Sequence, residues 1–214
     1  MKKFSLAALA ATAMIALASP AAATDFSFVG TLANDDEVLL FNFTVASTSL
    51  VTLRTYSYAG GVNAAGAVIA RGGFDPILSL YNSAGAQIGD NDDDDQDGGG
   101  MPLHVATDSV SGAAYDTYFT MSLGPGAYTV AVTEFDNFGP ANLASGFPGS
   151  SFVGFGDTSG AANNPRDGHW AFDVLNVASA SLGVPEPATW GLMIGGFALT
   201  GAMLRRRRQS AATA

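Results

Sequence analysis

Six carboxylates fall within eight residues of this chain, in the run Asp90-Asn91-Asp92-Asp93-Asp94-Asp95-Gln96-Asp97, and Gly98 follows at once. Two unit charges about 6 Å apart in water repel by about 0.7 kcal/mol, so several such pairs cost a few kcal/mol before salt screening. A hard divalent cation with oxygen ligands removes that cost. Calcium is the natural candidate, because it takes many carboxylate and carbonyl oxygens in flexible geometry. Asp93, Asp95, Asp97 and Gly98 match the opening Asp-x-Asp-x-Asp-Gly of a calcium loop. The twelfth position counted from Asp93 is His104 instead of a bidentate Glu, and no helices are expected on either side, so the run is not an EF-hand. Its shell would have to be completed by carboxylates the fold brings in, such as Asp75 or Asp108. The expected ligand set is therefore Asp75, Asp90, Asp93, Asp95 and Asp97. Against it stands the plainer reading of a solvated acidic tip between two strands.

A second candidate is the Gly-, Pro- and Ser-rich stretch over residues 139–169. Structureless loops of that length are uncommon in compact domains and often bind something. Phe147, Phe152 and Phe155 are its candidate ligand-binding residues, since aromatic faces can receive sugar rings. The alternative is that they tuck back onto the core. Support for catalysis is slight. His104 and His169 are the only histidines, neither has metal-protease spacing, and there is no Gly-x-Ser-x-Gly elbow or phosphate loop. With no cysteine, thiol chemistry and disulfides are excluded. The expectation is a protein that is not an enzyme.

These residues sit among short segments of alternating character. Leu39, Phe41, Phe43 and Val45 alternate within residues 37–46, and Val51, Leu53 and Thr55 share a face within 50–58. Residues 76–81 are apolar and bounded by Asp75 and Asn82-Ser83. Residues 118–123 and then Tyr128, Val130 and Val132, across Gly124-Pro125-Gly126, are expected to form a hairpin. Trp170, Phe172 and Val174 alternate in a closing strand. Residues 60–73 fit a loop or a weak strand. No amphipathic helix is evident, and Gly, Ser, Thr, Asn and Asp mixed with β-branched and aromatic residues favour an all-β fold, a jelly-roll-like antiparallel β-sandwich. Between residues 24 and 184 only Arg54, Arg71 and Arg166 are basic against eighteen Asp and Glu, a formal charge of about −15 compared with −10 for the whole chain. A surface so strongly of one sign excludes nucleic acid as a partner and favours cations.

The two ends carry a different kind of signal. Lys2 and Lys3, an apolar stretch over residues 4–17, and Ala21-Ala22-Ala23 after Ser19-Pro20 form a secretory signal peptide over residues 1–23. At the other end, Pro185-Glu186-Pro187 precedes an apolar run over residues 188–204, followed by Arg205-Arg206-Arg207-Arg208. Seventeen helical residues span about 25 Å, the lower limit for a single transmembrane helix. The arginines place residues 209–214 as a cytoplasmic stub, with the domain outside the inner membrane. This three-part ending resembles the PEP-CTERM sorting signal (residues 185–208). The resemblance implies that Pro185, Glu186, Pro187 and the arginines at 205–208 are read by an exosortase, a membrane-embedded cysteine transpeptidase that removes the tail.

The middle has its own likeness. The Phe-rich strand Leu39-Leu40-Phe41-Asn42-Phe43-Thr44-Val45 is followed by Asp75-Pro76-Ile77-Leu78-Ser79-Leu80-Tyr81. A small turn and acidic run over residues 82–90 come next, then Pro125-Gly126-Ala127-Tyr128-Thr129-Val130. Over residues 26–136 this order resembles the bacterial pre-peptidase C-terminal domain, a small β-sandwich. The expected organisation is a sandwich over 24–178 and a linker over 179–184 before the sorting signal. The protein would be transiently anchored in the inner membrane, then sit at the cell surface or outside the cell. The PEP-CTERM likeness implies an association with exopolysaccharide and biofilm matrix. The alternatives are a carbohydrate-binding module acting through residues 139–169 and, further off, a secreted hydrolase.

Overall fold

The computed structural model describes residues 22–94 and 103–183. Residues 1–21 of the signal segment, Asp95, Asp97, Pro185, Glu186, Pro187 and the apolar and arginine-rich tail lie outside the described residues. Among the described residues no helix is long and apolar enough to cross a membrane.

The chain is all-β and mostly antiparallel. Its strands are β1 (Thr24–Thr31), β2 (Leu39–Val45), β3 (Ser49–Thr55), β4 (Gly61–Val62), β5 (Val68–Ile69), β6 (Pro76–Asn82), β7 (Gln87–Asn91), β8 (Tyr118–Leu123), β9 (Gly126–Glu134), β10 (His169–Val177) and β11 (Ser179–Gly183). One sheet has the order β1-β10-β3-β8 and the other β11-β2-β9-β6-β7, while β4 and β5 form a small separate hairpin.

The two larger sheets share one core. From the five-stranded sheet come Phe41, Phe43, Val45, Leu78, Leu80, Val130 and Val132, and from the four-stranded sheet Val51, Leu53, Trp170, Phe172 and Val174. Phe41 is the cross-sheet anchor, with its ring 5.0 Å from Phe28, 4.8 Å from Phe172 and edge-on to Trp170 at 5.7 Å. These spacings lie in the favourable range for offset and edge-to-face aromatic pairs. The alternation expected for β2 holds: Phe41, Phe43 and Val45 are buried while Asn42 and Thr44 face out.

Three expectations are corrected. Residues 118–132 do not form a hairpin, because β8 pairs with β3 in one sheet and β9 with β2 and β6 in the other. The turn at Gly124-Pro125 carries the chain between sheets. Residues 179–183, expected as linker, form the edge strand β11, which pairs with β2 from Ser179↔Thr44 to Gly183↔Leu40. Consequently β10 does not close the sandwich.

The long segment between β9 and β10 covers part of the outer face of the five-stranded sheet. Ile77, Ser79 and Tyr81, which β6 turns outward, are therefore buried with the rest of that strand. Gly139 lies so close to the Ser79 and Tyr81 hydroxyls that a Cβ there would collide with both.

Candidate functional site

The β6–β7 hairpin builds the site. Its turn is made by Asn82, whose Oδ1 accepts hydrogen bonds from Ala84 N (2.9 Å) and Ala86 N (3.1 Å), and by Gly85 at φ 76°, a left-handed conformation that favours glycine. Register Leu78↔Asn91 then sets the residue before β6 beside those after β7. Asp75, Asp92 and Asp93 thus converge, with one carboxylate oxygen from each lying within 4.8 Å of the others.

Asp75 is the buried member, only 4% exposed. Its Oδ2 accepts from the Thr158 hydroxyl at 2.5 Å, whereas its Oδ1 is buried and has no hydrogen-bond partner among the described residues. Burial, opposed by the Thr158 hydrogen bond and reinforced by the charges of Asp93, Asp92 and Asp116, pushes the Asp75 carboxyl up to about 8. Tyr115, Phe135, Phe152 and Thr158 complete the wall of a cavity of about 210 Å³ around these carboxylates.

The structure sorts the expected ligands. Asp75 and Asp93 belong to the cluster, Asp92 joins it, and Asp90 stands exposed on β7, outside it. Asp108 is also elsewhere. It pairs with Arg71 and with Arg166 (3.2 Å), and although burial acts to raise its pKa, Arg71, Ser111 and Arg166 hold it below the usual carboxylate range. Asp94 anchors the return of the chain, accepting from His104 N and from Val105 N at 3.1 Å. Just behind the cluster, the buried Asp116 accepts from Thr55 Oγ1 (3.0 Å), Tyr58 N (3.1 Å) and Ala59 N (2.8 Å).

The three phenylalanines part company. Phe147 packs edge-on to Tyr81 at 6.5 Å, and Phe155 lies on Phe74 at 5.9 Å against the core. Phe152 alone is exposed, at 41%, and it stands at the cavity 5.6 Å from Phe135. The histidines meet carboxylates, a ring and a carbonyl. His104 stacks on Tyr118 at 4.2 Å with Nδ1 3.1 Å from Asp94, and His169 contacts Asp167 and the Ala70 carbonyl (3.0 Å).

Sequence reasoning missed Asp92, whose place follows only from the hairpin register, and it also missed Glu134. That residue is 1% exposed, and neither Oε has a hydrogen-bond partner among the described residues. Burial, followed by the charges of Asp35 and Asp36, pushes its carboxyl up to about 8 from 4.5. The proton held in the folded state contributes stability that is complete below about pH 4.5 and lost as pH rises through 8. Glu134→Gln keeps the shape and removes the charge. It should match wild type near pH 4 and exceed it at pH 9 by on the order of 1–3 kcal/mol. Urea unfolding across that pH range checks this, and parallel curves would refute it.

No protein-family model matches the chain, and no curated protein matches it.

Proposed function

We propose that this chain is an exported, noncatalytic surface or extracellular-matrix protein whose jelly-roll-like sandwich is stabilised by a divalent cation, calcium, held by Asp75, Asp92 and Asp93. The observation that carries the cation is Asp75. A buried carboxyl with an unpartnered oxygen, aimed at two further carboxylates, costs free energy unless a proton or a cation satisfies it. Calcium is favoured over magnesium because the three side chains sit on loop ends and offer a loose oxygen set, not a rigid octahedron.

Export and sorting rest on the two ends of the chain: the signal-like residues 1–23 and the PEP-CTERM-like residues 185–208, for which an exosortase is the processing partner. The noncatalytic reading is supported by the partners of His104 and His169 among the described residues, which are the carboxylates of Asp94 and Asp167, the Tyr118 ring and the Ala70 carbonyl. Kinship with the pre-peptidase C-terminal domain fits the Asp75-to-Tyr81 strand and the turn that follows it. The four- and five-stranded sheets, with the chain changing sheet at every step except β6 to β7 (and reaching β6 from β3 through the β4–β5 hairpin), fit a jelly-roll-like path.

Two measurements test the proposal. Native mass spectrometry should find one calcium per chain and none in an Asp75→Asn/Asp92→Asn variant, and equal uptake by both would refute the site. In a host with an exosortase, the mature protein should lack the residues after the Pro-Glu-Pro segment, and Pro185→Ala/Pro187→Ala should slow that trimming at least tenfold. A wild-type product that keeps its arginines would sink the sorting reading.

A further inference from the structure

We propose that the outer face of the five-stranded sheet carries a binding groove for a short run of a neutral glycan, separate from the carboxylate cluster and independent of any cation. The groove has a volume of about 650 Å³, inside the range of about 300–1,000 Å³ for ligand-sized clefts. Its floor is β11-β2-β9. Register there sets Ser181, Asn42 and Thr129 in one outward-facing row and Ser179, Thr44 and Ala127 in the next. Thr129 Oγ1 donates to Asn42 Oδ1 at 2.9 Å, and the Thr44 and Ser179 hydroxyls meet at 2.6 Å. Its wall is two turns clamped together, the β6–β7 turn and the 3-10 turn Leu143–Ser145. Leu143 N donates to Gly85 O at 2.8 Å, and Gln87 N to Ala141 O at 3.0 Å. A wall tied in this way is formed before a ligand arrives, so little ordering cost is left to binding.

The donors decide the chemistry. Asn82 Oδ1 accepts from Ala84 N and Ala86 N, and Asn142 Oδ1 accepts from Ala144 N at 3.0 Å. A backbone N–H can only donate, so each amide oxygen is committed and the NH2 is what a ligand meets. Together with hydroxyls that both give and accept, these amides suit a ligand dense in hydroxyl and ether oxygens. Among the described residues every side chain lining the groove is uncharged, in a domain of formal charge about −15. An ionic group would find no counter-charge there, and the surrounding field repels an anion. An extended peptide gains most by adding to an open strand edge. β2 and β9, the centre of the floor, are paired along both edges, so they offer a ligand side chains alone. The groove lies where β9 and β11 begin, at the opposite end of β11 from Gly183. In the anchored protein proposed above it would face away from the membrane.

Titration calorimetry tests the proposal on the full chain, in a detergent without a sugar headgroup. The probes are cellohexaose, laminarihexaose and mannohexaose, with hexagalacturonate as the anionic counterpart. At least one neutral hexasaccharide should bind, equally well in calcium and in chelator, and hexagalacturonate should bind about tenfold more weakly or not at all. Asn42→Asp/Asn142→Asp separates recognition from structure. Aspartate keeps the acceptor oxygens that hold Thr129 and Ala144 N, so the melting temperature should stay within about 2 °C of wild type. Loss of the two amide donors should weaken binding about tenfold or more. Ala144→Trp, which fills the groove from its exposed wall, should abolish binding. Failure of every neutral hexasaccharide to bind overturns the inference, as does tighter binding of hexagalacturonate or unchanged affinity in both variants. Binding lost in chelator would move the sugar to the carboxylate cluster, overturning the groove and leaving the cation reading intact. A chain that takes up no calcium but binds a neutral hexasaccharide in this groove would overturn the cation reading and support this inference.

Discussion

Asp75→Asn should abolish the calcium-dependent rise in melting temperature expected of the wild-type protein. At calcium concentrations 100 times the dissociation constant, linkage adds about 2.7 kcal/mol to the folded state, which is about 5–10 °C in a domain of this size. The variant keeps the side-chain shape and the Thr158 neighbour but loses the buried anionic ligand. The effect of the substitution changes sign with the ion. In chelator, wild type must keep Asp75 protonated or bear a buried charge beside Asp92 and Asp93, and that proton's contribution is lost as pH rises from about 4 through 8. The amide carries no such penalty. Above pH 8 in chelator Asp75→Asn should therefore be at least as stable as wild type, and in calcium it should be several degrees less stable. Calorimetry in calcium and in chelator checks both halves. A rise of equal size in the two proteins, or none in wild type, would be decisive against the site.

The second large effect is expected at Arg166. Its side chain is fully buried, pairs with Asp108 at 3.2 Å and Asp157 at 3.7 Å, donates to the Tyr58 carbonyl at 2.6 Å, and lies 3.4 Å over the Tyr58 ring. Removing one partner of a buried ion pair leaves the others desolvated and unbalanced, at a cost of about 3–5 kcal/mol. Arg166→Ala should then lower the melting temperature by roughly 10–15 °C. Arg166→Lys should recover only part of this, since an ammonium cannot make the planar stack and the forked contacts together. The network also ties down Asp157, and its neighbour Thr158 reaches Asp75, so Arg166→Ala should weaken calcium as well. Denaturant melts and calcium titration of both variants measure this. A loss under 1 kcal/mol would show that the network carries little of the domain's stability.

How far the sequence could be read follows from which signals are local. β2, β3, β6, β9 and β10 announce themselves through alternating aromatic and β-branched residues. β7 and β11 do not. Gln87–Asn91 carries a glycine and an aspartate, and Gly89 is there because Phe119 and Met121 fill the space a Cβ would need, at 2.6 and 2.9 Å. Ser179–Gly183 is a strand because β2 offers it an edge, a tertiary cause that no propensity encodes. The route of the chain between sheets at Gly124 is also invisible locally, since alternation says which face is buried but not which sheet a strand joins. The acidic run was legible as charge. Which of its carboxylates meet was not, because that depends on the hairpin register that sets Asp75 against Asp92 and Asp93.

β11 has a mechanical meaning for an anchored protein. Among the described residues it is an edge strand of five residues paired only with β2 within its sheet, and four residues separate it from the apolar run that begins at Ala188. Four residues reach at most about 14 Å when fully extended. In the anchored protein proposed above, a membrane tether so short would leave the sandwich no leash: it would ride flush with the bilayer, and an enzyme trimming the tail would work against the folded body itself. A pull on the tail loads β11 before any other strand, so traction would peel the sheet from this edge. Release from the tether would lift that load and let the outermost strand settle.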